Sequence, residues 1–188
     1  MTTTLVTRDL VNNLDDLVKL ATTLFKSGLL PQGVRSPEAA AAIILKGREI
    51  GMPAMESFAL INVIAGKPTV APQGMLALMY RSRQLEDLTI TDDGKACTVT
   101  MKRAGQKAHS ERFSLDDARR MMTQETIGGE KKTIPLADKY NWRQMPEVMR
   151  KWRAISACCR IVFPDVIAYG VLLLPKDIAE GEKRPVVV

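Results

Sequence analysis

The chain has 188 residues, 46% hydrophobic and 26% charged, the composition of a globular rather than a disordered protein, with length for one domain with a real core but little for two. No apolar run approaches the roughly 18 residues of a membrane span, and Asp9, Asp15 and Asp16 among polar threonines do not make a signal peptide, so a cytoplasmic protein is expected. The net charge of +6 favours polyanionic partners, and three cysteines, two of them adjacent at Cys158 and Cys159, give neither a disulfide framework nor a metal spacing and are expected to be reduced and packed.

Leu10, Leu14, Leu17, Ala21 and Leu24 recur at helical spacing, predicting an amphipathic helix over about 8–26 that Gly28 ends. Ser36, Pro37 and Glu38 read as an N-cap, a first-turn proline and a first-turn acid, opening a helix from Ala39 to Ile50 closed by Gly51; a short helix follows around Met55 to Ala59. Leu60 to Val70 predicts a hairpin turned at Gly66 and Lys67, with Pro68 confining the second strand to an edge. Pro72 starts a helix over Gln73 to Arg83, whose Arg81 and Arg83 suit the negative end of the helix dipole.

Three strands are then predicted, Leu85 to Thr91, Ala96 to Arg103 and Ala108 to Phe113, joined by the turn sequences D-D-G-K and A-G-Q-K. Their alternation implies an antiparallel meander with one covered and one wet face. Ser114, Asp116 and Asp117 cap a short helix to about Met122, and residues 123–138, polar and glycine-containing, read as a mobile loop. Phe163, Pro164 and Asp165 kink the chain before a last apolar stretch from Val166 to Leu174. The expected architecture is α+β: a hairpin and a three-stranded meander packed with helices, a β-β-β-α core over 85–122, one domain over 1–180 and a flexible tail over 181–188.

The window from Lys139 to Arg160 concentrates the charge, with six basic residues (Lys139, Arg143, Arg150, Lys151, Arg153, Arg160), one acid, both tryptophans and a tyrosine. Cations neutralise phosphates and aromatic faces stack on unpaired bases, so this composition suits a binder of single-stranded nucleic acid. Pro146 suits a first helical position, and Glu147 to Val162 holds neither glycine nor proline, predicting one helix. At about 100° per residue Val148, Trp152, Ile155, Cys159 and Val162 share an arc that packs, while Arg150, Arg153 and Arg160 lie roughly opposite, placing Trp152 in the core rather than against a base. On residue pattern alone the basic face suits nucleic acid and plain solvation equally.

Catalysis finds little support. His109 is the single histidine, in a predicted strand; Gly128-Gly129-Glu130-Lys131-Lys132-Thr133 lacks the leading glycine of a phosphate loop; Asp92-Asp93 and Asp116-Asp117 are explained by a turn and a helix start. No enzyme activity and no cofactor are expected, with magnesium at most an influence on the nucleic acid. Action by binding is the expectation.

Three stretches together carry a family resemblance: S-P-E-A-A-A-A-I-I-L-K-G-R-E-I-G-M-P-A-M-E-S-F (36–58), I-N-V-I-A-G-K-P-T-V-A-P-Q-G-M-L-A-L-M-Y-R-S (61–82) and W-R-Q-M-P-E-V-M-R-K-W-R-A-I-S-A-C-C-R-I-V-F-P-D-V (142–166). In order and spacing they resemble the RecT family of phage single-strand annealing proteins, to which the Bet recombinases are related. The resemblance spans roughly residues 30–180. It implies a phage or prophage protein of the bacterial cytoplasm that coats single-stranded DNA, assembles as a ring or helical filament and pairs complementary strands without ATP. It implies a basic groove holding Arg150, Arg153 and Arg160, with Lys46, Arg48, Lys67 and Arg81 as further DNA contacts. Relatives usually carry a further C-terminal segment that engages an exonuclease or a host single-strand-binding protein; this sequence ends soon after the matched stretch, which puts such partners in question. The rival expectations are a non-catalytic basic adaptor that meets an acidic partner and a metal-dependent nuclease.

Overall fold

The computed structural model describes residues 13–64 and 66–169, which fall into two compact units. Of the described residues, one unit comprises those up to Val70 together with 168–169, the other Ala71–Ile167. The fold class is α+β, with separate antiparallel sheets of two, three and two strands among the described residues. Where the sequence suggests a single domain over 1–180, two units are described. The start of the first predicted helix with Leu10, the end of the last apolar stretch over 170–174 and the expected tail lie outside the described residues.

In the first unit α1 (Leu14–Lys26) starts at Asn13, whose Oδ1 accepts from the Asp16 amide at 2.9 Å. It packs against α2 (Pro37–Glu49), which opens as its sequence predicts: the Ser36 hydroxyl accepts from the Ala39 amide at 3.2 Å and proline occupies the first turn. Leu17 and Ala21 on α1 and Ala40, Ile43 and Ile44 on α2 are buried. Gly47, inside α2, lets α3 (Ala54–Leu60) approach: a Cβ there would stand 1.7 Å from Ser57 Oγ. β1 (Ile61–Ile64) and β2 (Lys67–Val70) form the expected hairpin, with Gly66 at φ +77° and Pro68 opposite Val63.

The second unit begins with α4 (Pro72–Ser82) and continues into the meander β3 (Leu85–Asp92), β4 (Ala96–Arg103) and β5 (His109–Ser114). The D-D-G-K turn is held by its own carboxylates: Asp92 accepts from the Gly94 amide, and Asp93 from the Lys95 and Ala96 amides. Cys97, Val99 and Met101 alternate inward along β4 and are buried, whereas Thr98 and Thr100 are half-exposed. The short helix α5 (Leu115–Arg120) carries a full capping box between Ser114 and Asp117.

The mobile loop expected over 123–138 is corrected by the structure. Met122–Ile127 (β6) and Glu130–Pro135 (β7) pair as a hairpin in which Ile127 faces Glu130. Gly128 and Gly129 form its two-residue turn at φ +62° and +87°, a left-handed pair that matches the twist of a hairpin. The strands are mostly exposed on both faces, so they carry no apolar alternation. After a 3₁₀ turn at Leu136–Asp138 come α6 (Tyr140–Gln144), α7 (Pro146–Val162) and α8 (Pro164–Tyr169).

Helix α7 lies against β4, β5 and α4. Its buried stripe is Ala154, Ile155, Cys158, Cys159 and Val162, rotated from the expected arc, with Val148 41% exposed and Trp152 half-buried. Small side chains at 154 and 158 allow close contact with the sheet, so backbone approach rather than side-chain size sets which face turns inward. A second cluster gathers Ala118, Leu136 and Trp142, with Trp142 tilted 47° against Phe113 at 5.8 Å.

Candidate nucleic-acid interface

On α7, Arg153 and Arg160 are exposed and lie two turns apart on one side of the helix. Arg160 donates from Nη1 to the hydroxyl of Ser156 one turn earlier. Among the described residues neither arginine has a carboxylate partner. Partial burial first, and the charge of Arg160 second, hold the Arg153 guanidinium below its usual range. Two like charges on one side of the helix without an acid leave a positive face where an anion would offset their repulsion. Lys151 is likewise exposed without an acidic partner among the described residues.

Arg150 is not on this face, contrary to the sequence expectation. It is 3% exposed, and its guanidinium grips Asp92 bidentately, Nε to Oδ2 at 3.0 Å and Nη2 to Oδ1 at 2.6 Å. The pair holds the Asp92 carboxyl below its ordinary range, with the Arg150 hydrogen bonds as the leading cause, and raises Arg150 in turn. A helical wheel places Arg150 away from the core because it considers α7 alone; the end of β3 covers that flank and supplies the counter-ion.

The remaining candidates divide. In the second unit Arg143 is exposed on α6 and Lys139 half-buried before it, and Arg81 is exposed near the end of α4. In the first unit Lys67 is exposed at the start of β2, opposite Ile64, and Arg48 is exposed on the last turn of α2. Lys46, half-buried on that turn, is paired with Glu49 at 3.2 Å. Of the window's aromatics, Trp142 is 1% exposed, whereas Tyr140 is 69% exposed. Nothing in the sequence distinguishes this outward tyrosine from its buried neighbour two residues on, so only the fold singles it out.

His109 is bonded to Glu111 at 2.8 Å, and among the described residues no group of three or more histidine, cysteine or acidic side chains could hold a metal. Asp116 and Asp117 are engaged with Arg119 and Arg120. Burial pushes the Cys158 thiol up to about 11 and Cys159 to about 12, leaving little thiolate for nucleophilic attack. Among the described residues no helix is long and apolar enough to cross a membrane.

Neither a comparison with models of known protein families nor one with curated proteins finds a match for this chain.

Proposed function

We propose that this protein binds single-stranded DNA through its phosphates, without sequence preference, and anneals complementary strands in recombination without ATP, working as a homo-oligomer in the bacterial cytoplasm. The observation that carries the reading is the Arg153–Arg160 pair, exposed on one side of α7 with no carboxylate partner among the described residues. Arginine suits the task because its planar fork stays charged and grips phosphate bidentately. The three motif stretches that resemble the RecT family supply the annealing part.

Strand coating holds the phosphates while leaving bases open to a second strand. Counterion release then gives affinity indifferent to sequence, and pairing adds stacking of about 1.4 kcal/mol per step. One domain of this size would contact only about 4–16 nucleotides, so neighbouring copies are needed for a long site.

The test is annealing of two complementary oligonucleotides followed by fluorescence, without ATP and with or without magnesium. Accelerated pairing in both conditions supports the reading. No acceleration with no strand binding supports the basic adaptor instead, and strand loss dependent on magnesium supports a nuclease.

A further inference from the structure

We infer that Tyr140 is a stacking platform for one unpaired base, with Arg143 holding the adjoining phosphate, in an open depression beside the β6–β7 hairpin. This rests on the single-strand-binding reading and extends it to a residue outside the α7 arginine face.

The observations are local to the second unit. Tyr140 and Arg143 are three residues apart on α6, hence on one side of it, and both are exposed. Trp142 between them points the other way, 1% exposed and packed on Phe113, so this five-residue helix is anchored rather than loose. The backbone beneath Tyr140 is therefore held in place, with its ring turned outward. Tyr140 and Arg143 line a depression of about 590 Å³ together with Ile127 and Gly128 from the hairpin. Ile127 is 45% exposed, an apolar surface that a flat ring would cover.

Glu125 and Asp138 line the same depression. The two carboxylates disfavour a phosphate beside them, which leaves Arg143, the cation of this lining, as the place for a backbone phosphate and the rest of the depression for a neutral base. A mononucleotide would bring its phosphate charge close to those acids, whereas a strand fixed elsewhere by its backbone delivers a base from outside. The occupant is thus a base of a strand. Every base has a π-face, so such a platform adds affinity without adding sequence preference.

The test uses the full chain with labelled oligothymidylate and a strand of the same length with abasic sites, titrated at several salt concentrations. Tyr140→Ala should weaken oligothymidylate binding roughly tenfold or more while leaving the salt slope and the abasic strand unchanged; Tyr140→Phe should retain binding. Arg143→Ala should instead lower the slope by about 0.7 on both strands. Should Tyr140→Ala lose its fold by circular dichroism, Tyr140→Leu serves the same comparison. Wild-type binding retained by Tyr140→Ala (or Tyr140→Leu in its place), or binding weakened equally on both strands, overturns the stacking role and leaves the phosphate-binding reading standing. No wild-type binding to either strand overturns both.

Discussion

Arg150 and Asp92 stand 58 residues apart in sequence and meet through two hydrogen bonds of 3.0 and 2.6 Å, tying the second turn of α7 to the end of β3. An arginine that resembles a DNA contact in the sequence is a structural clamp in the fold. Removing either partner leaves the other charge unpaired and partly desolvated.

Asp92→Ala should therefore destabilise the protein. A fully sealed pair costs about 3–5 kcal/mol when broken from one side. The Asp92 side chain is 23% exposed, so a loss of about 2 kcal/mol is expected in urea unfolding. Arg150→Met together with Asp92→Leu should recover the part of the loss that comes from the unpaired guanidinium, though not the Asp92 bond to the Gly94 amide. Arg150→Ala should lose DNA binding only in step with its loss of folded protein.

Arg153→Ala and Arg160→Ala should behave differently. Each should keep the fold, weaken binding to all sequences alike and flatten the dependence of log K on log salt by about 0.7 for every phosphate no longer held. Titration of labelled single strands across a salt series reads both quantities; an unchanged slope in both variants removes this helix face from the interface.

Gly47→Ala offers a test in the first unit. Helix propensity alone favours alanine by about 1 kcal/mol. The new Cβ, however, would fall 1.7 Å from Ser57 Oγ and 2.7 Å from Ser57 Cβ. A net loss of about 2 kcal/mol or more is expected by thermal melting, and Ser57→Gly in the same chain should restore most of it.

The Ser114–Asp117 capping box makes stability acid-sensitive. Hydrogen bonds from the Ser114 side chain, then its backbone, lower the Asp117 carboxyl from 3.8 to about 2. A carboxyl lowered in the folded state adds stability that is whole above the unfolded value and is lost as pH falls from about 4 towards 2. Asp117→Asn should be less stable at neutral pH and show a smaller decline across that window. Ser114→Ala should cost about 1 kcal/mol, and denaturant melts at pH 6, 4 and 2.5 separate the two effects.

Local rules in the sequence foretell much of the fold. The Ser36-Pro37-Glu38 opening of α2, the D-D-G-K turn and the Ser114 cap are each decided by atoms within three residues, and the structure has all three. What stays hidden depends on distant partners. The β6–β7 hairpin lacks an apolar face because both its faces are largely exposed, so its sequence reads as a loop despite the Gly128-Gly129 turn. The orientation of α7 is set by the sheet beneath it, and Arg150 cannot be separated from Arg153 without knowing that β3 brings Asp92 to one and not the other. Of the site residues, Arg153 and Arg160 stand on the outward face their spacing implies; Tyr140 is recognisable only once its neighbour Trp142 has been placed.

Arg103, at the end of β4, occupies its donors on three sides: Gln84 at 2.8 Å, the Val162 carbonyl at 3.3 Å and both oxygens of Asp165 at 2.7 Å, with its guanidinium 5.2 Å from the centre of the Phe163 ring. One side chain thus joins the exit of α4, the far end of the sheet and the kink after α7, segments that local opening would otherwise release one at a time. They are expected to exchange their amide hydrogens as one cooperative block, with the kink as slow as the strand it is fastened to.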